Sequence, residues 1–118
     1  MTMTRATKNS WKHIEYPAIR ENLQFEALFT NAEAEKLMQG LIPEQMEDKW
    51  FIYFSEGWLF FLRSWTGACI YAIKFHGVPN GVCITDSWVN RVSEQYSSVD
   101  VEYDKNVVRI LIDSLLKK

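Results

Sequence analysis

The residues best suited to chemistry stand together. In FLRSWTGACIY, residues 61 to 71, an arginine, two hydroxyls, a tryptophan and a glycine interrupt an otherwise apolar run. Arg63 brings a planar guanidinium with five donors, which matches phosphate or carboxylate oxygens in a two-point contact. Ser64 and Thr66 add hydroxyls, Gly67 lets the backbone turn sharply or approach a ligand closely, and Trp65 is suited to stack on a base. A plainer reading fits the same residues: Arg63 pairs with an acidic neighbour, Trp65 is core, and Thr66-Gly67 is a turn. Both stay open at this level, because stacking platforms and cores use the same aromatic side chains.

Other combinations are weaker. EQMEDKW places Glu44, Glu47 and Asp48 just ahead of an apolar run. Clustered carboxylates do acid–base work where burial moves one pKa, and otherwise form a solvated loop. Asp48 is also a candidate partner for Arg63 if adjacent strands bring the two together. Ser64, His76 and Asp86 supply the groups of a nucleophile, a base and an orienter. Nothing like a nucleophile elbow surrounds Ser64, however, and HGVPN reads as a turn with a solvated His76. His13 and His76 are the only histidines, and neither His-x-x-x-His nor a Cys-rich cluster occurs, so no metal or cofactor is expected. Cys69 and Cys83 lie in β-like runs without CxxC spacing and read as small core residues.

The chain that must position these groups has 118 residues, a formal net charge of -2 and 47% hydrophobic residues. That fits one domain spanning residues 1–118, with a mobile start over residues 1–10. The near-balanced charge offers no stripe of Lys and Arg, so nucleic-acid binding through counterion release is disfavoured. MTMTRATKNSWKH has no apolar stretch after its basic residues, and no run approaches the roughly eighteen apolar residues of a membrane span. A soluble, cytoplasmic protein without a membrane partner is expected.

Local patterns then assign the elements. WKHIEYPAI carries Trp11, Ile14, Tyr16 and Ile19 and should pack, while Pro17 opposes a long helix there. FTNAEAEKLMQG predicts one short helix over 31–39, with Thr30 and Glu33 as a capping box and Gly40 just past its end. KWFIYFSEGWLFFLRSW reads as a hairpin turning at Glu56-Gly57, apolar on both faces, so both faces should be covered. ACIYAIKF and GVCITDSWV are a third and a fourth strand around HGVPNG. VEYDKNVVRILIDSLLKK returns to helix, with Val107, Val108, Leu111, Ile112 and Leu115 on one face.

Residues 43–75, PEQMEDKWFIYFSEGWLFFLRSWTGACIYAIKF, carry P-E-x-M-x-D-[KR]-W-F-x-Y, then an aromatic hairpin, then R-S-W-T-G-x-x-I. This resembles a small bacterial and phage module that occurs alone and also fused to ADP-ribose-processing domains such as macrodomains or ADP-ribosylglycohydrolases. The resemblance covers about a third of the chain. It implies that Asp48, Lys49, Trp50, Arg63, Ser64, Trp65, Thr66 and Gly67 form the site.

The fold expected is α+β: a four-stranded antiparallel meander packed by an N-terminal helical segment and a C-terminal helix. The function expected is a non-catalytic module for a nucleotide-like ligand, derived from NAD or ADP-ribose, with Arg63 on phosphate and Trp65 or Trp50 stacking. Two alternatives stand beside it. One is a protein-interaction module of an immunity or anti-defence system, using an exposed aromatic surface. The other is a small hydrolase or transferase using the acidic cluster.

Overall fold

The computed structural model describes residues 5–118. Its elements are a 3-10 turn at Lys8–Ser10, β1 (Arg20–Asn22), β2 (Leu28–Thr30), α1 (Asn31–Gln39), β3 (Trp50–Ser55), β4 (Trp58–Arg63), β5 (Cys69–Val78), β6 (Gly81–Asn90) and α2 (Val101–Leu116). Strands β3 to β6 run antiparallel in sequence order, each paired with the next. The β3–β4 turn is made by Glu56 and Gly57, both at positive φ, the backbone that matches the right-handed twist of a two-residue hairpin.

The sheet is not the expected four-stranded meander: among the described residues it has six strands, ordered β1-β6-β5-β4-β3, with β2 also on β6. β1 pairs with the end of β6 (Arg20↔Asn90) and β2 with its beginning (Leu28↔Cys83), so the two short strands share one edge. Neither announces itself in sequence. Arg20–Asn22 is polar and wholly exposed, and it is extended because the edge of β6 offers it hydrogen bonds, not because of its own propensity. Gly81 permits the β2 contact, since a Cβ there would lie 2.2 Å from the Phe29 carbonyl oxygen.

Strands β5 and β6 also run longer than the sequence suggests. Only Pro79 and Asn80 separate them, and Asn80 takes the positive φ that the turn needs. His76 is therefore an exposed strand residue opposite Cys83, and not part of a turn. Cys69 is fully buried, whereas Cys83 is half-exposed and so is not the core residue expected.

Both sheet faces are covered. On one, Ile52, Leu59, Phe61, Tyr71 and Val89 pack with Leu37 of α1 and with Val108, Ile112 and Leu115 of α2. On the other, Phe51, Tyr53, Phe60, Leu62 and Cys69 lie under the N-terminal segment, where the Tyr16 ring stacks on Phe60 at 4.9 Å. Residues 1–4, part of the start expected to be mobile, lie outside the described residues, while Ala6 is buried and its amide donates to the Gln39 carbonyl.

Capping fixes the two helices. The Glu33 amide donates to the Thr30 hydroxyl at 3.1 Å, and the Thr30 amide donates to the Glu33 carboxylate at 2.9 Å. α2 is capped by Asp100, whose carboxylate accepts from the amides of Glu102 and Tyr103. Among the described residues no helix is long and apolar enough to cross a membrane.

Candidate functional site

Pairing of β3 with β4 sets Trp50, the first residue of one strand, opposite Arg63, the last of the other. The Arg63 guanidinium lies over the Trp50 ring at 4.8 Å from its centroid and over the Tyr96 ring at 5.9 Å. Trp50 in turn stacks on Tyr71 at 5.8 Å. Ring faces hold the cation by electrostatic attraction to their π clouds. They do not use its N–H donors, and among the described residues no ion pair involves Arg63.

Beyond Arg63 the chain turns through Ser64–Gly67 into β5. The turn is rigidly tied to the loop before β3. The Ser64 hydroxyl donates to the Asp48 carbonyl at 2.6 Å, its amide to the Lys49 carbonyl at 2.9 Å, and the Trp65 indole N–H to the Met46 carbonyl at 2.8 Å. Trp65 is nevertheless 63% exposed, so it is a fixed ring on the surface and not core. Gly67 adopts φ of +79° and is buried against His13, where a Cβ would come within 2.9 Å of the His13 Cα. Its role is a close backbone contact inside the protein.

Arg63, Lys49, Trp65 and Thr66 line a cleft of about 710 Å³. Its opposite wall comes from the loop after β6 and the start of α2: Gln95, Tyr96, Ser97, Ser98 and Tyr103. Among the described residues the lining holds two cations, Lys49 and Arg63, and no carboxylate. Trp65 and Tyr103, the latter 56% exposed, supply aromatic surface, and Thr66, Ser97 and Ser98 supply hydroxyls. A cleft of this size can take a small molecule, and its walls are mixed: two cations, hydroxyls and an amide beside the rings of Trp65, Tyr96 and Tyr103.

A second network fixes the far wall. Asp104 on α2 is fully buried, at 0% exposure. Its carboxylate accepts from the Tyr96 hydroxyl at 2.6 Å and from the Arg91 guanidinium at 2.9 Å. Arg91 also donates to Glu21 at 2.7 Å and to the Ser98 carbonyl at 3.0 Å. The Tyr71 and Tyr96 hydroxyls share a further hydrogen bond. Burial, and then the hydrogen bond to Asp104, push the Tyr96 phenol up to about 12, and burial with the bond to Tyr96 pushes Tyr71 up as well. Both stay neutral and act as fixed donors. The β4–β5 pairing helps aim Tyr71: Phe61 faces Tyr71 and Leu62 faces Cys69, which leaves Ile70 as a bulge.

Of the eight residues singled out in the sequence, Lys49, Arg63, Trp65 and Thr66 thus face the cleft, with Trp50 seated against Arg63. Asp48, Ser64 and Gly67 build the turn behind it. The Asp48 carboxylate accepts from the Glu44 amide at 2.9 Å instead of pairing with Arg63. Glu44 and Glu47 are exposed, and none of these three carboxylates lines the cleft. Ser64 is 4% exposed with its hydroxyl spent on Asp48, so it does not serve as a nucleophile with His76 and Asp86. The far wall, Gln95 to Ser98 and Tyr103, carries no motif. A Tyr followed by two serines in a mostly polar loop is all that marks it, and nothing local says that this loop returns to Arg63. No family model, curated protein or solved structure matches the chain.

Proposed function

We propose that this cleft is the binding site of a non-catalytic, cytoplasmic module for a nucleotide-like ligand, one that carries phosphate and a planar base and derives from NAD or ADP-ribose. The observation that carries the reading is Arg63, a guanidinium held in place by the rings of Trp50 and Tyr96 while its donors engage no carboxylate among the described residues. A buried or half-buried fork that the protein leaves without an acid is suited to an anion from outside. Lys49 adds a second positive charge, and Trp65 and Tyr103 offer surfaces for a base. Resemblance of residues 43–75 to a module found beside ADP-ribose-processing domains points to the same ligand class.

A thermal-shift panel of ADP-ribose, NAD, cyclic dinucleotides and inorganic phosphate tests this. A ligand present at a hundred times its dissociation constant stabilises a fold by about 2.7 kcal/mol. Stabilisation by an adenine diphosphate, well beyond that given by phosphate alone, is the expected result. No shift with any nucleotide overturns the reading. It would favour the use of the exposed rim, with Met46, Trp65, Val99 and Tyr103, as a protein contact surface. Turnover of the added nucleotide, seen by chromatography, would make the module an enzyme.

A further inference from the structure

The turn that carries Arg63 and Trp65 is also held from behind by a segment far away in sequence. The Trp11 indole N–H donates to the Ser64 carbonyl at 2.8 Å, the Lys12 ammonium to the Trp65 carbonyl at 3.1 Å, and the Ile14 amide to the Gly67 carbonyl at 3.0 Å. His13, between them, lies so close to Gly67 that no side chain fits. Every donor here reaches the backbone of the Ser64–Gly67 turn. The segment itself is neither helix nor strand from Trp11 to Ile19, and Trp11, Ile14 and Ile19 are exposed. Such a stretch, with few buried apolar contacts and no regular hydrogen-bond ladder, opens more easily than the sheet it lies on.

We propose that residues 11–14 belong to the ligand site as positioning residues: docked, they fix the Ser64–Gly67 turn and with it the Trp65 ring, so that ligand and segment stabilise each other. The inference rests on the ligand reading of the cleft. Reciprocity is required by linkage. If a docked segment favours the ligand, bound ligand must favour the docked segment by the same factor.

ADP-ribose is the probe, and the full chain is used throughout. Trp11→Phe keeps an aromatic ring, though a smaller one, and the charge, and removes the indole donor. Lys12→Met removes the ammonium donor from an exposed side chain, and Lys12→Arg restores one. Loss of one such hydrogen bond is worth about a tenfold fall in affinity. Trp11→Phe and Lys12→Met should each show a fall of up to this order, with the denaturation midpoint lowered by no more than the loss of one hydrogen bond allows, and Lys12→Arg should bind like the wild type. In the wild type, ADP-ribose should slow hydrogen exchange at the Ile14 amide. Wild-type affinity in both variants, with Ile14 exchange indifferent to ADP-ribose, overturns the inference and leaves the ligand reading intact. No binding of ADP-ribose by the wild type overturns both.

Discussion

Arg63 and Arg91 both lie near Tyr96, and the protein treats them in opposite ways. Arg91 is enclosed by acceptors: Glu21, Asp104 and the Ser98 carbonyl take its donors, and only 11% of its side chain is exposed. Arg63 is enclosed by rings, Trp50 and Tyr96, with its fork directed at no carboxylate among the described residues. A guanidinium with each of its three nitrogens hydrogen-bonded inside the protein is part of the fold. One that is held by its faces, with its edges left over, is the basis of the proposed anion site. The shared neighbour matters too, because Asp104 fixes Tyr96 and Tyr96 helps to fix Arg63.

The largest effect should come from the Arg91 side. Arg91→Ala leaves the buried Asp104 carboxylate with Tyr96 as its one remaining hydrogen-bond donor among the described residues and removes its counter-charge. Loss of a partner from a buried pair costs about 3–5 kcal/mol, measurable by urea unfolding. A change below about 1 kcal/mol would erase the distinction between the two arginines.

Next in size is the tyrosine link. Tyr96→Phe removes a donor from Asp104 and an acceptor from Tyr71, which should destabilise the fold by about 1–3 kcal/mol. It should also blunt the alkaline response. The Tyr96 phenol titrates near 12 in the folded protein against 10.0 when unfolded, so the folded state holds its proton longer. Its contribution is full below pH 10 and is lost as pH rises towards 12. Unfolding midpoints followed upward from pH 9 should fall more steeply for the wild type than for Tyr96→Phe, and parallel curves would remove Tyr96 from the network.

Smaller still is the stability effect of Arg63→Ala, about 1 kcal/mol for the lost cation–π contacts, while binding of ADP-ribose should disappear. Smallest is Lys49→Met at the exposed edge of the cleft. Stability should stay within about 0.5 kcal/mol of the wild type, and the fall in affinity should shrink as salt is added, because exposed charges are screened.

Much of this was legible in the chain. Thr30 and Glu33 mark the start of α1, Glu56-Gly57 marks the β3–β4 turn, and the apolar run from Val107 to Leu115 marks the buried face of α2. Each of these is a local rule acting within a few residues. The near wall of the cleft was legible for the same reason, since Arg63, Trp65 and Thr66 are consecutive or nearly so. What stayed hidden depends on contacts distant in sequence. Arg20–Asn22 becomes a strand only because β6 presents an open edge, Asp104 looks like any polar residue of an amphipathic helix, and Trp11 is tied to Ser64 across 53 positions. The Asp48–Arg63 pairing failed because Trp50, and not Asp48, is the cross-strand neighbour of Arg63.

The most direct measurement is a calorimetric titration of ADP-ribose into the wild type and Arg63→Lys, with urea unfolding of both. A point charge cannot reproduce the two-point contact of a guanidinium with phosphate oxygens, so affinity should fall by roughly 1–3 kcal/mol while stability barely changes. Equal affinity for the two proteins, or a loss of stability in Arg63→Lys as large as that in Arg91→Ala, would contradict the assignment of Arg63 as the ligand's cation.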